Sequence, residues 1–75
     1  MYLRGKADTN ISTGITTFHA TEAIGPGDDR RPVEERHELR LEPGDDQGHY
    51  IATDTHGSEW ELIDYEDEAE LHPLF

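Results

Sequence analysis

The stretch Val33–Asp64, VEERHELRLEPGDDQGHYIATDTHGSEWELID, decides how this 75-residue chain folds. In its first part Glu34, Arg36, Glu38, Arg40 and Glu42 alternate with Val33, Glu35, His37, Leu39 and Leu41. Such a two-residue period belongs to a β-strand, with opposite charges neighbouring one another along one face. A helix would instead stack Glu34 on Glu38 and Arg36 on Arg40 as like charges, which is mildly unfavourable. In the middle part Tyr50 and Ala52 point one way and His49, Ile51 and Thr53 the other. After His56-Gly57, a turn whose glycine is free to take positive φ, the alternation resumes in Glu59-Trp60-Glu61-Leu62. The stretch is therefore expected to be a three-stranded meander, the nucleus on which the rest folds.

The register of its second hairpin follows if His56-Gly57 is a two-residue loop. Thr53 then faces Trp60, Ile51 faces Leu62, and Tyr50 faces Ile63. This puts Ile51, Trp60 and Leu62 on one face and Tyr50 with Ile63 on the other. Leu39 and Leu41 join one of these faces according to a one-residue choice in the Pro43–Gly48 loop. Apolar residues on both faces suggest that one face is closed by a partner or by a second copy of the chain.

Upstream, Tyr2–Ala7 alternates as a first strand and Asp8-Thr9-Asn10 reads as a turn. Ile11–Ile24 carries four threonines, three isoleucines and a phenylalanine, which favour strand. Ile11, Ile15 and Phe18 also sit at helical spacing, so a helix over 13–24 packed on the meander, an α+β arrangement, is the alternative. Pro-Gly-Asp-Asp occurs twice, at Pro26–Asp29 and Pro43–Asp46, and both copies suit a type II turn. The first copy opens a loop over 25–32; the second is a hairpin loop. The tail, 65–75, is expected to begin as one helical turn capped by Asp64 and stopped by Pro73. The fold class is thus mainly β: one domain over 1–75, a small antiparallel sheet of four or five strands, barrel- or sandwich-like, with at most one short helix.

Charge bounds the function. Eighteen acidic residues stand against six basic ones, and Lys6 is the only lysine. Many carboxylates with almost no lysine suit a surface adapted to high salt, where hydration is held and mutual repulsion is screened. The acidity therefore says little about the partner. The N-terminus MYLRGKADTN lacks an apolar run of the secretory type, so a cytoplasmic chain with no membrane partner is expected. With no cysteine there is neither a disulfide framework nor a cysteine-based zinc site.

Constellations for chemistry are sparse. His19, His37, His49, His56 and His72 show no metal-ligand spacing, although His37 and His49 would face each other across the first hairpin of the meander. The Asp28-Asp29 and Asp45-Asp46 pairs lack the order of a calcium loop. No nucleophile motif or phosphate-binding glycine loop appears, so no catalytic, cofactor or metal residue is assigned. Arg30, Arg31, Arg36 and Arg40 are the candidates for a basic strip, but the interleaved Glu34, Glu38 and Glu42 make a nucleic-acid partner the secondary reading. The primary reading is a non-enzymatic binding or adaptor module acting through protein contacts, self-association included. Its candidate contacts are the apolar tail residues Leu71, Leu74 and Phe75, together with those arginines. A His/carboxylate metal binder is the third.

Overall fold

The computed structural model of the chain describes residues 1–74. Six strands follow one another: β1 (Tyr2–Asn10), β2 (Ile15–Ile24), β3 (Arg30–Pro43), β4 (His49–Asp54), β5 (Glu59–Asp64) and β6 (Ala69–Pro73). Each pairs antiparallel with the next, and β6 returns to β1, so the meander closes into a barrel. The all-β reading holds, with six strands rather than four or five. No helix forms among the described residues, and none is therefore long and apolar enough to cross a membrane.

Ile11–Ile24 follows the strand reading rather than the helical alternative: Ile15–Ile24 is β2, where its β-branched residues suit a pleated, half-buried surface. Two segments differ from expectation. Asp8-Thr9-Asn10 is not a turn but the end of β1, and the chain turns over Ile11–Gly14 instead. The tail does not begin as a helical turn. Tyr65–Glu68 closes a hairpin in which the Tyr65 N–H donates to the Glu68 carbonyl at 2.8 Å, and Ala69–Pro73 is the closing strand. Ala69 and Leu71 point inward while Glu70 and His72 point out, a period-two pattern that outweighs the acidic residues before it.

The register of the β4–β5 hairpin also differs by one residue. Ala52 pairs with Trp60, Tyr50 with Leu62 and Ile51 with Glu61. The loop has three residues, Thr55-His56-Gly57, because the Asp54 N–H donates to the Ser58 carbonyl at 3.0 Å and Gly57 takes φ of 83°. A three-residue hairpin loop with a left-handed glycine at its end is a common geometry. The Asp54 carboxylate selects it by accepting the N–H groups of His56 and Ser58, both at 2.9 Å. The shift turns the β4 side chains over relative to those of β5. Tyr50, Ala52, Trp60 and Leu62 face inward with Leu39 and Leu41, while Ile51 and Ile63 lie half-buried outside.

The first Pro-Gly-Asp-Asp copy has the positive φ a type II turn needs, 71° at Gly27, and it spans a hairpin. The loop it opens is shorter than 25–32, since Arg30–Pro32 already belong to β3. In the second copy Gly44 lacks positive φ. Its N–H donates to the His49 carbonyl at 2.9 Å, so it is the last rung of the β3–β4 ladder.

Six strands enclose less space than the eight that leave an interior just wide enough for side chains, so the inner residues must be few and often small. Phe18, Leu39, Leu62 and Leu71 are the large ones fully enclosed, and Ala20, Ala23, Ala52 and Ala69 fill the remainder. The buried Thr16 hydroxyl is satisfied by Thr9 Oγ1 at 2.8 Å. The core face is covered by the far wall of the barrel itself, so the argument for a second copy no longer rests on an uncovered core.

Closure needs β1 to cross β2 closely. Thr21 is an extra residue in β2, a bulge between the Arg4–Glu22 and Gly5–Ala20 pairs, and it sharpens the local twist. At that point Gly5 lies against the backbone of β2. A Cβ there would fall on the His19 carbonyl and 2.9 Å from Ala20 Cα. Gly14 differs: its φ is 73° but nothing lies within 4 Å of its Cβ position. Gly5→Ala is therefore expected to cost about 3 kcal/mol or more, since the obstacle is backbone, and Gly14→Ala about 1 kcal/mol, from φ alone. Denaturant unfolding followed by Trp60 fluorescence checks the pair; equal losses would show that the crossing is not tight.

Candidate binding surface

β3 is longer than the strands after it. It pairs with β4 only over Leu39–Pro43, because β4 ends at Asp54 opposite Leu39. The upper half of β3 keeps β2 as its strand neighbour, and its inward residues Glu35 and His37 look into an open mouth of the barrel. The start of β1, the end of β6 and the start of β5 complete that mouth. An edge segment of this kind is an aggregation hazard, and Pro32 with its flanking charges blunts it.

Trp60 occupies the mouth. It is half-buried, its indole Nε1–H donates to Asp54 Oδ2 at 3.1 Å, and its ring lies 5.7 Å from the His37 ring at a tilt of 60°. His37 Nε2 donates in turn to Glu35 Oε1 at 3.1 Å. A chain of contacts thus runs Glu35–His37–Trp60–Asp54 and fixes the indole from both sides. Trp60 and Pro73 are register partners and form a low ridge. On one side is a depression of about 290 Å³ lined by Met1, Tyr2, Leu3 and Glu35. On the other is one of about 380 Å³ lined by Gly57, Ser58 and Glu59. Asp54 titrates below the usual aspartate value, chiefly through the hydrogen bond from Trp60, against some desolvation, with the Ser58 and His56 amides helping.

A second polar group lies outside, where β6 meets β1. Arg4 Nη2 donates to Glu70 Oε2 at 3.2 Å, and Arg4 Nε lies 3.8 Å from Glu68 Oε1, beyond hydrogen-bond reach. Glu70 Oε1 accepts from His72 Nε2 at 3.0 Å, and the His72 ring stacks on Tyr2 at 4.5 Å. Burial opposes the Glu70 charge, but the hydrogen bonds from His72 and Arg4 and their charges outweigh it, so its pKa falls below the usual value of 4.5. The hydrogen bond to Glu70 raises the Arg4 pKa. Arg4, Glu70 and His72 are paired with one another, leaving the buried Arg4 Nε without a hydrogen-bond partner among the described residues, and the cluster clamps the closing strand.

The residues singled out from sequence do not converge. Leu71 is fully buried in the core and unavailable to a partner, Leu74 is exposed, and Phe75 lies outside the described residues. Arg30 pairs with Glu22 at 3.7 Å, and Arg31 Nη2 lies 3.9 Å from Met1 Sδ. Arg36 and Arg40 sit on the outer face of β3 beside Glu34, Glu38 and Glu42. His37 and His49 do not face each other: His37 is at the mouth, and His49 lies outside, 3.4 Å from Glu61. Among the described residues no group of three or more metal-ligating side chains gathers. The sequence put Trp60 on a sheet face with Ile51 and Leu62, gave Pro73 only the part of a helix stop, and gave Asp54 and Glu35 no part in a site. The signal for Asp54 was its place at the start of an Asp-x-x-Gly turn.

Both depressed carboxylates stabilise the fold above their ordinary values, and that stability is lost as pH falls through the lowered folded ones. Unfolding midpoints are therefore expected to hold near neutrality and to drop as pH falls below about 4.5, the ordinary value of Glu70. Asp54→Asn is expected to lower the neutral-pH midpoint and flatten that acid limb, and an unchanged limb would show that Asp54 keeps an ordinary pKa. Comparison with protein-family models, with curated proteins and with solved structures finds no match to this chain.

Proposed function

We propose that the chain is a small non-enzymatic binding module that contacts a protein partner through the mouth of its barrel. One observation carries the reading. The only tryptophan is half-buried at an open end of the molecule, fixed by hydrogen bond and ring contact on both sides, with a depression on each flank. Tryptophan is the residue type most enriched among side chains that dominate binding, and a pre-fixed ring loses little freedom on contact. The polar groups around it are already paired with one another: Glu35 with His37, Asp54 with the turn amides and the indole. Such groups shape and orient a surface. Exposed Met1 and Pro73 extend its apolar area.

The net charge of −12 and the single lysine support a module that works in the cytosol of a salt-rich cell. A nucleic-acid partner stays the secondary reading: its four arginines lie along β3, where Arg30 pairs with Glu22 and Arg36 and Arg40 are interleaved with glutamates that offset their field.

Selection of displayed peptides on the isotope-labelled chain in molar KCl tests the reading. Enriched peptides are expected to perturb the Trp60 indole N–H and the backbone amides of Leu3, Glu35, His37 and His72, and to lose binding to Trp60→Leu. Enrichment of nothing, or perturbation centred on the outer face of β3, would refute the mouth as the binding surface.

A further inference from the structure

We infer that the mouth takes a cationic side chain, an arginine, presented by a basic protein segment. This rests on the reading of the mouth as a binding surface and names what fills it. The indole offers a negative π-face to a cation, and arginine is the cation most often found on such faces. Glu59 is exposed beside Trp60 on one flank, and Glu35 lines the other. Asp54, held ionised by three donors, lies beneath the ring edge. A guanidinium stacked on the ring would therefore meet carboxylates at its edges, where its fork of donors can be satisfied. The chain's own Arg31 lies against Met1, with Nη2 3.9 Å from its Sδ, and does not line either depression.

Size agrees with charge. The depressions of about 290 and 380 Å³ are open ones. Small-molecule sites of similar volume enclose most of their ligand, whereas an open groove beside a ring suits one extended side chain with its backbone left outside. Salt decides between a contact partner and a diffuse counter-ion. In molar salt the screening length is about 3 Å, so a general attraction to the acidic surface fades. A stacked, partly desolvated contact survives because it acts at that range.

Three N-acetylated tripeptide amides provide the test: glycine-arginine-glycine, and the same with citrulline or norleucine at the centre. Citrulline keeps the shape of arginine without its charge, and norleucine keeps only the apolar stem. Each is titrated in molar KCl into the full chain, and the Trp60 indole N–H and backbone amides are followed by NMR. The arginine peptide is expected to shift the indole and the amides of Leu3, Glu35 and His72, and the citrulline peptide to bind about tenfold more weakly. Trp60→Leu and Glu35→Gln are each expected to weaken the arginine peptide several-fold. Glu35→Gln alone decides should Trp60→Leu fail to fold. Citrulline or norleucine binding as well as arginine would overturn the cationic assignment while leaving the mouth as a binding surface. Arginine shifts spread over Glu66–Glu70 and indifferent to both substitutions would overturn it as a counter-ion effect. No shift at the mouth from any peptide, selected ones included, would overturn both readings.

Discussion

The fold depends on β6 reaching β1. Only three register pairs make that seam, Leu3 with Leu71, Arg4 with Glu70 and Gly5 with Ala69. Inside, Leu71 is fully enclosed and Leu3 nearly so; outside, the Arg4–Glu70 ion pair lies across the same rungs. The Glu70 side chain keeps 11% of its exposure and that of Arg4 24%. A charge so placed is costly to leave unpaired, so the pair specifies the seam more than it adds net stability. His72 supplies the second oxygen of Glu70 with a donor and stacks on Tyr2, which places four side chains from two strands in one fixed arrangement.

The rest follows from closing so short a meander. A six-stranded barrel is narrow, so its interior tolerates few large groups, and four buried alanines with Gly5 at the tightest crossing meet that limit. The modest apolar content of the chain thus suffices for a core of this diameter. Strand stagger leaves the upper half of β3 without β4 beside it, and closure brings the end of β6 next to the start of β5 at the same end. Trp60 therefore lies where the wall is incomplete. Its half-burial is a consequence of topology, and the binding role proposed for it uses that exposed part.

Much of this was legible in the sequence and some of it was not, for identifiable reasons. The alternation of Glu34–Glu42 against Val33–Leu41 assigned β3 and its inner face, because period two leaves a strong mark over so long a strand. The β4–β5 register was misjudged because it turns on one carboxylate. Asp54 draws in the His56 and Ser58 amides and makes a three-residue loop where Gly57 alone suggested a two-residue one. That single residue parted Ile51 from Trp60 and Leu62 and put Tyr50 beside them instead. β6 was hidden by its approach, since the Glu66–Glu70 acids resemble a helix start while Ala69 and Leu71 carry only two inward positions. The mouth was not legible at all. It arises from where unrelated strands end, and no local pattern records that.

The closed seam is the claim on which both the core and the mouth stand, and cross-strand NOE contacts test it directly. The account predicts backbone contacts between Leu3 and Leu71 and between Gly5 and Ala69, with an intensity like those joining Lys6 to His19 in the β1–β2 ladder. A spectrum with the β1–β2 and β5–β6 contacts intact and none between β1 and β6 would mean an open sheet and would contradict it.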